Sequence, residues 1–186
     1  MFVFGHAALG TALVRRAVPT TPLPWVVFGA LLPDLLDKPL YYSLYFYSRW
    51  FGAGLHGADL GLISGTRTVG HTALFLLTLV AGAAVLRSRI LWAISAGVVS
   101  HLLLDNLGDA FGTRHPGDGP STFDGLIFPL HGARFPLSSF GTVGDHVRSF
   151  TKAYVLVGEA LGLLVMGWWW MARKRRRGAA GDIDKS

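Results

Sequence analysis

Residues 153–171 read AYVLVGEALGLLVMGWWWM, a run with one formal charge, Glu159, that ends in Trp168, Trp169 and Trp170. As a helix rising about 1.5 Å per residue, it matches a hydrocarbon layer about 30 Å thick. The tryptophans fall where an aromatic belt meets the interface. Thr68–Leu86, TVGHTALFLLTLVAGAAVL, is a second such run, uncharged if His71 is neutral, and Ile90–Leu107 is a third, apolar until Asp105. These runs set the expected fold class: all-α, a polytopic membrane bundle of about four or five hydrophobic helices.

Working outward, Val3–Val18 reads as a short apolar helix ended by Pro19, Pro22 and Pro24. Trp25–Leu36 reads as a second helix, crossed by Pro33. The aromatic cluster Tyr41–Trp50 reads as helix or interfacial segment. Between Asn106 and Ser149 the chain is rich in glycine and proline with little periodicity, as in a long loop that covers or builds a binding site. The expected organisation is a single membrane-embedded domain, 1–172, with loop 106–149, followed by a basic and then polar tail, 173–186, disordered from Gly178.

Composition agrees. Of 186 residues, 51% are hydrophobic and 15% charged, and the mean hydropathy is +0.43. A soluble domain carries about 25% charged residues. There is no cysteine, which excludes disulfides, thiolate zinc sites, iron–sulfur clusters and cysteine nucleophiles. Any metal is left to imidazole and oxygen ligands, which suit zinc, manganese or iron. Met1–Phe4 has no basic n-region and no A-x-A-like site follows, so no cleaved leader is expected.

The net charge of +6 is unevenly placed, with five of the 17 Lys+Arg in the run Arg173–Arg177. Directly after an apolar helix, that run reads as a topology anchor against anionic lipid. Nucleic acid is not expected as a partner, because no recognition module accompanies the run. Arg15 and Arg16 end the first helix, and Arg87 and Arg89 fill a tight turn. Positive-inside bias puts all three clusters, and the C-terminus, on the cytoplasmic side of a bacterial inner membrane. The opposite face then receives His6, Asp34, Asp37, His71, His101, Asp105 and the long loop.

Imidazole and carboxylate in apolar surroundings cost free energy unless they pair or bind metal. His101 and Asp105, spaced i, i+4, share one helical face and can share a metal, or Asp105 simply accepts from His101. Asp34 and Asp37, at i, i+3, are either ligands or turn and capping residues. Arg67 lies four residues before His71 and either snorkels to headgroups or clamps an anion bidentately. His6 alone is ambiguous. His115, His131 and His146, among Asp109, Asp118, Asp124 and Asp145, suit any solvated loop. Glu159, inside an apolar run, requires a partner such as a hydroxyl or an arginine.

Taken in order, H-x-x-x-G (His6–Gly10), G-x-x-L-P-D-x-x-D (Gly29–Asp37), R-x-x-G-H-T (Arg67–Thr72), S-H-L-L-L-D (Ser100–Asp105) and F-P-L (Phe128–Leu130) resemble the predicted inner-membrane metal-dependent hydrolases. Some members of that family are described as LexA-binding. A fainter similarity links His6–Gly10 and Pro33-Asp34 to zinc-dependent phospholipase C-type domains. The third block departs from the H-R-x-x-T-H-S order of the family, with Thr66 before Arg67 and Gly70 before His71.

The resemblance implies a divalent metal, zinc first, held by His6, Asp34, His71, His101 and Asp105, with Asp37 as bridging ligand or general base. Arg67 would steady the substrate anion, a phosphoester or lipid headgroup. The alternative is a non-catalytic membrane protein, metal-binding or partner-binding, using the same residues in a closed site. A transporter would place its polar residues near the midplane and carry an inverted repeat, and neither is evident. The sequence leaves the oligomeric state open.

Overall fold

Proline and arginine punctuate the apolar stretches, and helices form between them. The computed structural model describes residues 3–52, 66–111, 122–130, 148 and 150–183, and all regular elements among them are helical. A π-helical turn, Gly5–Gly10, runs into α1 (Thr11–Ala17). After the proline-bearing turn come α2 (Leu23–Trp50), a 3₁₀ turn (Val69–His71), α3 (Ala73–Val85), α4 (Arg89–Phe111), the short α5 (Thr122–Leu126) and α6 (Ala153–Ile183).

Local chemistry explains the boundaries. Pro24 lies in the first turn of α2, where its missing N–H costs nothing and its φ is already helical. The Thr72 hydroxyl caps α3 by accepting from the Phe75 amide at 3.0 Å. It also donates to the Val69 carbonyl at 2.9 Å, tying the cap to the 3₁₀ turn. Arg87 takes a left-handed φ of 47°, and the tight turn there sends α4 back antiparallel along α3.

The bundle is built around the crossing of α2 and α4. A Cβ at Gly29 would lie 2.2 Å from the Ile94 carbonyl oxygen, and one at Gly97 would lie 2.3 Å from that of Val26. Only glycine permits such backbone contact. Val14, Val26 and Ala93 fill one side of the crossing. Ile94, Val98 and Leu102 fill the other, against apolar side chains of α3. Outside this core the apolar residues face outward, including Leu77, Leu156, Leu164, Trp168 and Trp170. In water so much exposed apolar surface would drive association; against lipid it is the expected exterior.

Arg89–Gly108 and Ala153–Ala172 are each long and apolar enough to cross a membrane, whereas α3, with 13 residues, is shorter than a span. The expected span at Thr68–Leu86 therefore needs correction: its first turn is not α-helical, because Thr72 caps the helix only from Ala73. The second helix is longer than the expected Trp25–Leu36. α2 runs through both Pro33 and Pro39 and takes in the Tyr41–Trp50 cluster. Packing of its Gly29 face on α4 outweighs the loss of the proline N–H. α4 continues beyond Leu107 to Phe111, α5 forms inside the expected loop, and α6 carries the basic run as helix to Ile183.

Candidate metal centre

Four elements deliver polar side chains to one point. His6 comes from the π-helical turn, Asp34 and Asp37 from α2, His71 from the 3₁₀ turn, and His101 and Asp105 from successive turns of α4. All except Asp34 are buried. The π-helix matters because such segments are rare and recur at functional sites. The glycine crossing matters because it sets Ala30 beneath His101.

Two histidines face each other at the centre. The Nε2 atoms of His71 and His101 are 3.1 Å apart. His101 Nδ1 lies 2.7 Å from the Ala30 carbonyl oxygen, which can only accept, so this nitrogen carries the proton. His71 Nδ1 lies 2.7 Å from Asp37 Oδ2. That carboxylate is fully buried and also accepts from the Thr68 amide at 2.7 Å and the Gly70 amide at 2.9 Å. An acceptor held this way fixes the His71 Nδ1 as a donor. In the neutral tautomers, both Nε2 atoms then carry lone pairs directed into the same small space. That arrangement could hold a cation between them.

Carboxylates complete the ring. Asp105 Oδ2 lies 3.6 Å from His71 Nε2 and 3.7 Å from His101 Nε2, and Asp34 Oδ1 lies 3.6 Å from His71 Nε2. His6 stacks on His101 with ring centroids 3.9 Å apart and places Nε2 3.2 Å from Asp105 Oδ1. Tetrahedral zinc with bonds of about 2.0–2.1 Å separates neighbouring donors by about 3.3 Å. The donor spacing here fits that shell with little adjustment. The ligand atoms of His71, His101 and Asp105 lie within 4.8 Å of one another, as do those of His6, Asp34 and His101.

One side of the cluster opens outward. Arg67 Nε is 3.1 Å from Asp105 Oδ2, with the Arg67 side chain 35% exposed. Lys38 pairs with Asp34, one helical turn away. The accessible rim is thus cationic and the buried floor anionic, an arrangement that admits a negatively charged group to a bound metal.

The family whose description is "YdjM inner membrane protein" matches this chain over residues 1–179. The chain belongs to that family. It is a membrane protein by family, and its two helices long and apolar enough to cross a membrane agree with that. No curated protein matched the chain, and no solved structure did either.

The structure brings together all seven residues singled out from the sequence: His6, Asp34, Asp37, Arg67, His71, His101 and Asp105. Asp37 sits differently from a bridging ligand or base, since both of its oxygens hold the 3₁₀ turn and His71 in place. Arg67 is not on the helix of His71 but in the loop before it, reaching α4. His115, His131, His146, Asp118 and Asp145 lie outside the described residues; Asp109 and Asp124 fall on α4 and α5. Sequence reasoning missed Lys38, although its i, i+4 spacing from Asp34 signals the pair. It also missed the Ala30 carbonyl, which no side-chain pattern can reveal.

Proposed function

We propose that this cluster is the divalent-metal centre of a membrane-embedded hydrolase that acts on phosphoesters, lipid headgroups first among them. The observation that carries this reading is the pair of His71 and His101 Nε2 atoms, 3.1 Å apart with both Nδ1 atoms committed elsewhere. His6, Asp34, His71, His101 and Asp105 would hold the ion, zinc before manganese or iron given the nitrogen donors. When bound, the ion supplies a nucleophile from water at neutral pH and polarises a phosphoryl oxygen. Asp37 fixes the tautomer and direction of His71. Arg67 meets the substrate anion and the charge that develops on it. Lys38 pairs with Asp34 and adds positive potential at the rim.

Depth supports a lipid substrate. From the arginine-bearing end of the bundle, Leu23 to Asp34, Arg89 to His101 and the length of α3 each measure about 17–20 Å of helix. Against a hydrocarbon layer of about 30 Å, the cluster would lie some way below the opposite surface, among five helices wholly or partly within the membrane. Positive-inside bias would make that surface extracytoplasmic. A headgroup arriving from the bilayer reaches such a site more directly than a soluble metabolite.

A second reading has one observation in its favour: two His/Asp triads share His101, a donor set large enough to close a coordination shell as in a structural site. Elemental analysis of detergent-purified protein, wild type beside a folded His101→Ala/Asp105→Ala double variant, tests the metal. The expected result is about one zinc per chain in the wild type and none in the variant. Phosphate release from phospholipid and soluble phosphoester panels by the metal-loaded wild type alone then supports the hydrolase. Bound metal without turnover favours the closed site, and a metal-free folded wild type overturns both.

A further inference from the structure

Glu159 is a carboxylate in the middle of an apolar helix, and the metal centre does not use it. Two of its partners are backbone amides. Oε2 accepts from the Phe4 amide at 3.0 Å and Oε1 accepts from the Gly5 amide at 2.9 Å. These N–H groups open the first turn of the N-terminal helix, where no residue of that helix can satisfy them. A carboxylate there also faces the positive end of the helix dipole. One turn further along α6, a Cβ on Gly162 would lie 2.4 Å from the Phe4 carbonyl carbon and 2.7 Å from the Gly5 nitrogen. The two backbones touch. Val155, Gly158 and Gly162 are buried along the same stripe, at i, i+3 and i+7, while Leu156, Val157, Leu161, Leu163 and Leu164 face outward.

The residue after Gly5 is His6. Glu159 grips the two amides that immediately precede it, and the π-helical turn begins at the same place. The stacking of His6 on His101 and its approach to Asp105 both depend on where that turn starts. We propose that Glu159 is a positioning residue for the metal centre, holding the N-terminal helix so that His6 enters the ligand set, with Gly162 allowing the close approach. This rests on the metal reading above but adds a residue outside the cluster and an element, α6, that supplies no ligand.

A double-variant cycle on the full chain in nanodiscs tests it, using Co(II) as the probe. Glu159→Gln keeps the size and one acceptor but removes the charge and the second acceptor. It is expected to weaken Co(II) binding about tenfold, the scale of lost outer-shell support, and to shift the Co(II) absorption bands toward those of His6→Ala. In the His6→Ala background, Glu159→Gln is expected to have no further effect. Equal weakening in both backgrounds would make Glu159 a general stabiliser and overturn the proposal, as would no weakening in either. Amide hydrogen exchange over residues 3–10 gives a second readout independent of metal: Glu159→Gln is expected to accelerate it, and unchanged exchange overturns the clasp. A wild type that binds no Co(II) refutes the metal reading itself, and exchange then still decides whether Glu159 holds the helix.

Discussion

The orientation of two imidazole rings governs the site at the scale of single residues. Asp37 acts through His71 Nδ1, so Asp37→Asn has a specific consequence. An amide offers one acceptor where the carboxylate offered two, and three groups compete for it: the Thr68 amide, the Gly70 amide and His71 Nδ1. His71 is then free to adopt the other tautomer, which places a proton on the Nε2 that faces His101. Metal affinity is expected to fall about 10–100-fold with the helical content unchanged, as measured by competition with a chromogenic chelator. An unaltered affinity would return Asp37 to a purely structural role. At this scale the sequence was most legible. A His or Asp in an apolar run is costly wherever it stands, so type and context flagged the six histidines and aspartates, and spacing from His71 flagged Arg67. The donors to Asp37 and the acceptor for His101 are backbone groups, and every residue type carries those.

Among the helices, the crossing of α2 and α4 decides whether the ligands meet. Gly97→Leu would force a branched side chain into the Val26 carbonyl and the Ala30 nitrogen. Separating the helices would break the His101 bond to Ala30 one turn away. The variant is expected to lose about 3 kcal/mol of stability, seen as a lower unfolding temperature in detergent, and any metal that the wild type retains. Gly167→Leu, where nothing lies within 4 Å, is expected to leave both unchanged. Helix existence was readable from apolar length, but helix ends were less so. The apolar run ended at Leu36, whereas α2 continues through Pro39 to Trp50, held against α4, which is remote in sequence. The start of α3 depended on a side-chain cap at Thr72, five residues inside a run that looked uniform. Glu159 needed a partner, and the sequence could not show that the partner was the first turn of the chain.

For the whole molecule, the arginines in the last turn of α1, those that follow α3 and the basic run within α6 define one pole, and the His/Asp cluster lies toward the other. The cysteine-free sequence makes this arrangement simple to probe. In right-side-out vesicles, Trp50→Cys, on an 87% exposed position at the far end of α2, is expected to react with a membrane-impermeant maleimide. Ser88→Cys, in the arginine turn, is expected to react only after the vesicles are opened. The reverse pattern would invert the topology and put the site on the cytoplasmic side. Metal also bears on the stability of the whole: a ligand at 100 times its Kd adds about 2.7 kcal/mol. Chelation is therefore expected to lower the unfolding temperature of the wild type and leave that of His101→Ala unchanged, as followed by differential scanning fluorimetry.

The clasp between Glu159 and the amides of Phe4 and Gly5 spans 155 and 154 positions of sequence. A ribosome makes Phe4 and Gly5 long before Glu159, so a nascent chain carries His6 into the bilayer before the acceptor for those two amides exists. Closure of the centre is thereby expected only after residue 159 has been made. A message cut short before codon 159 yields a chain that holds every histidine and aspartate of the cluster and lacks the means to set the first of them in place.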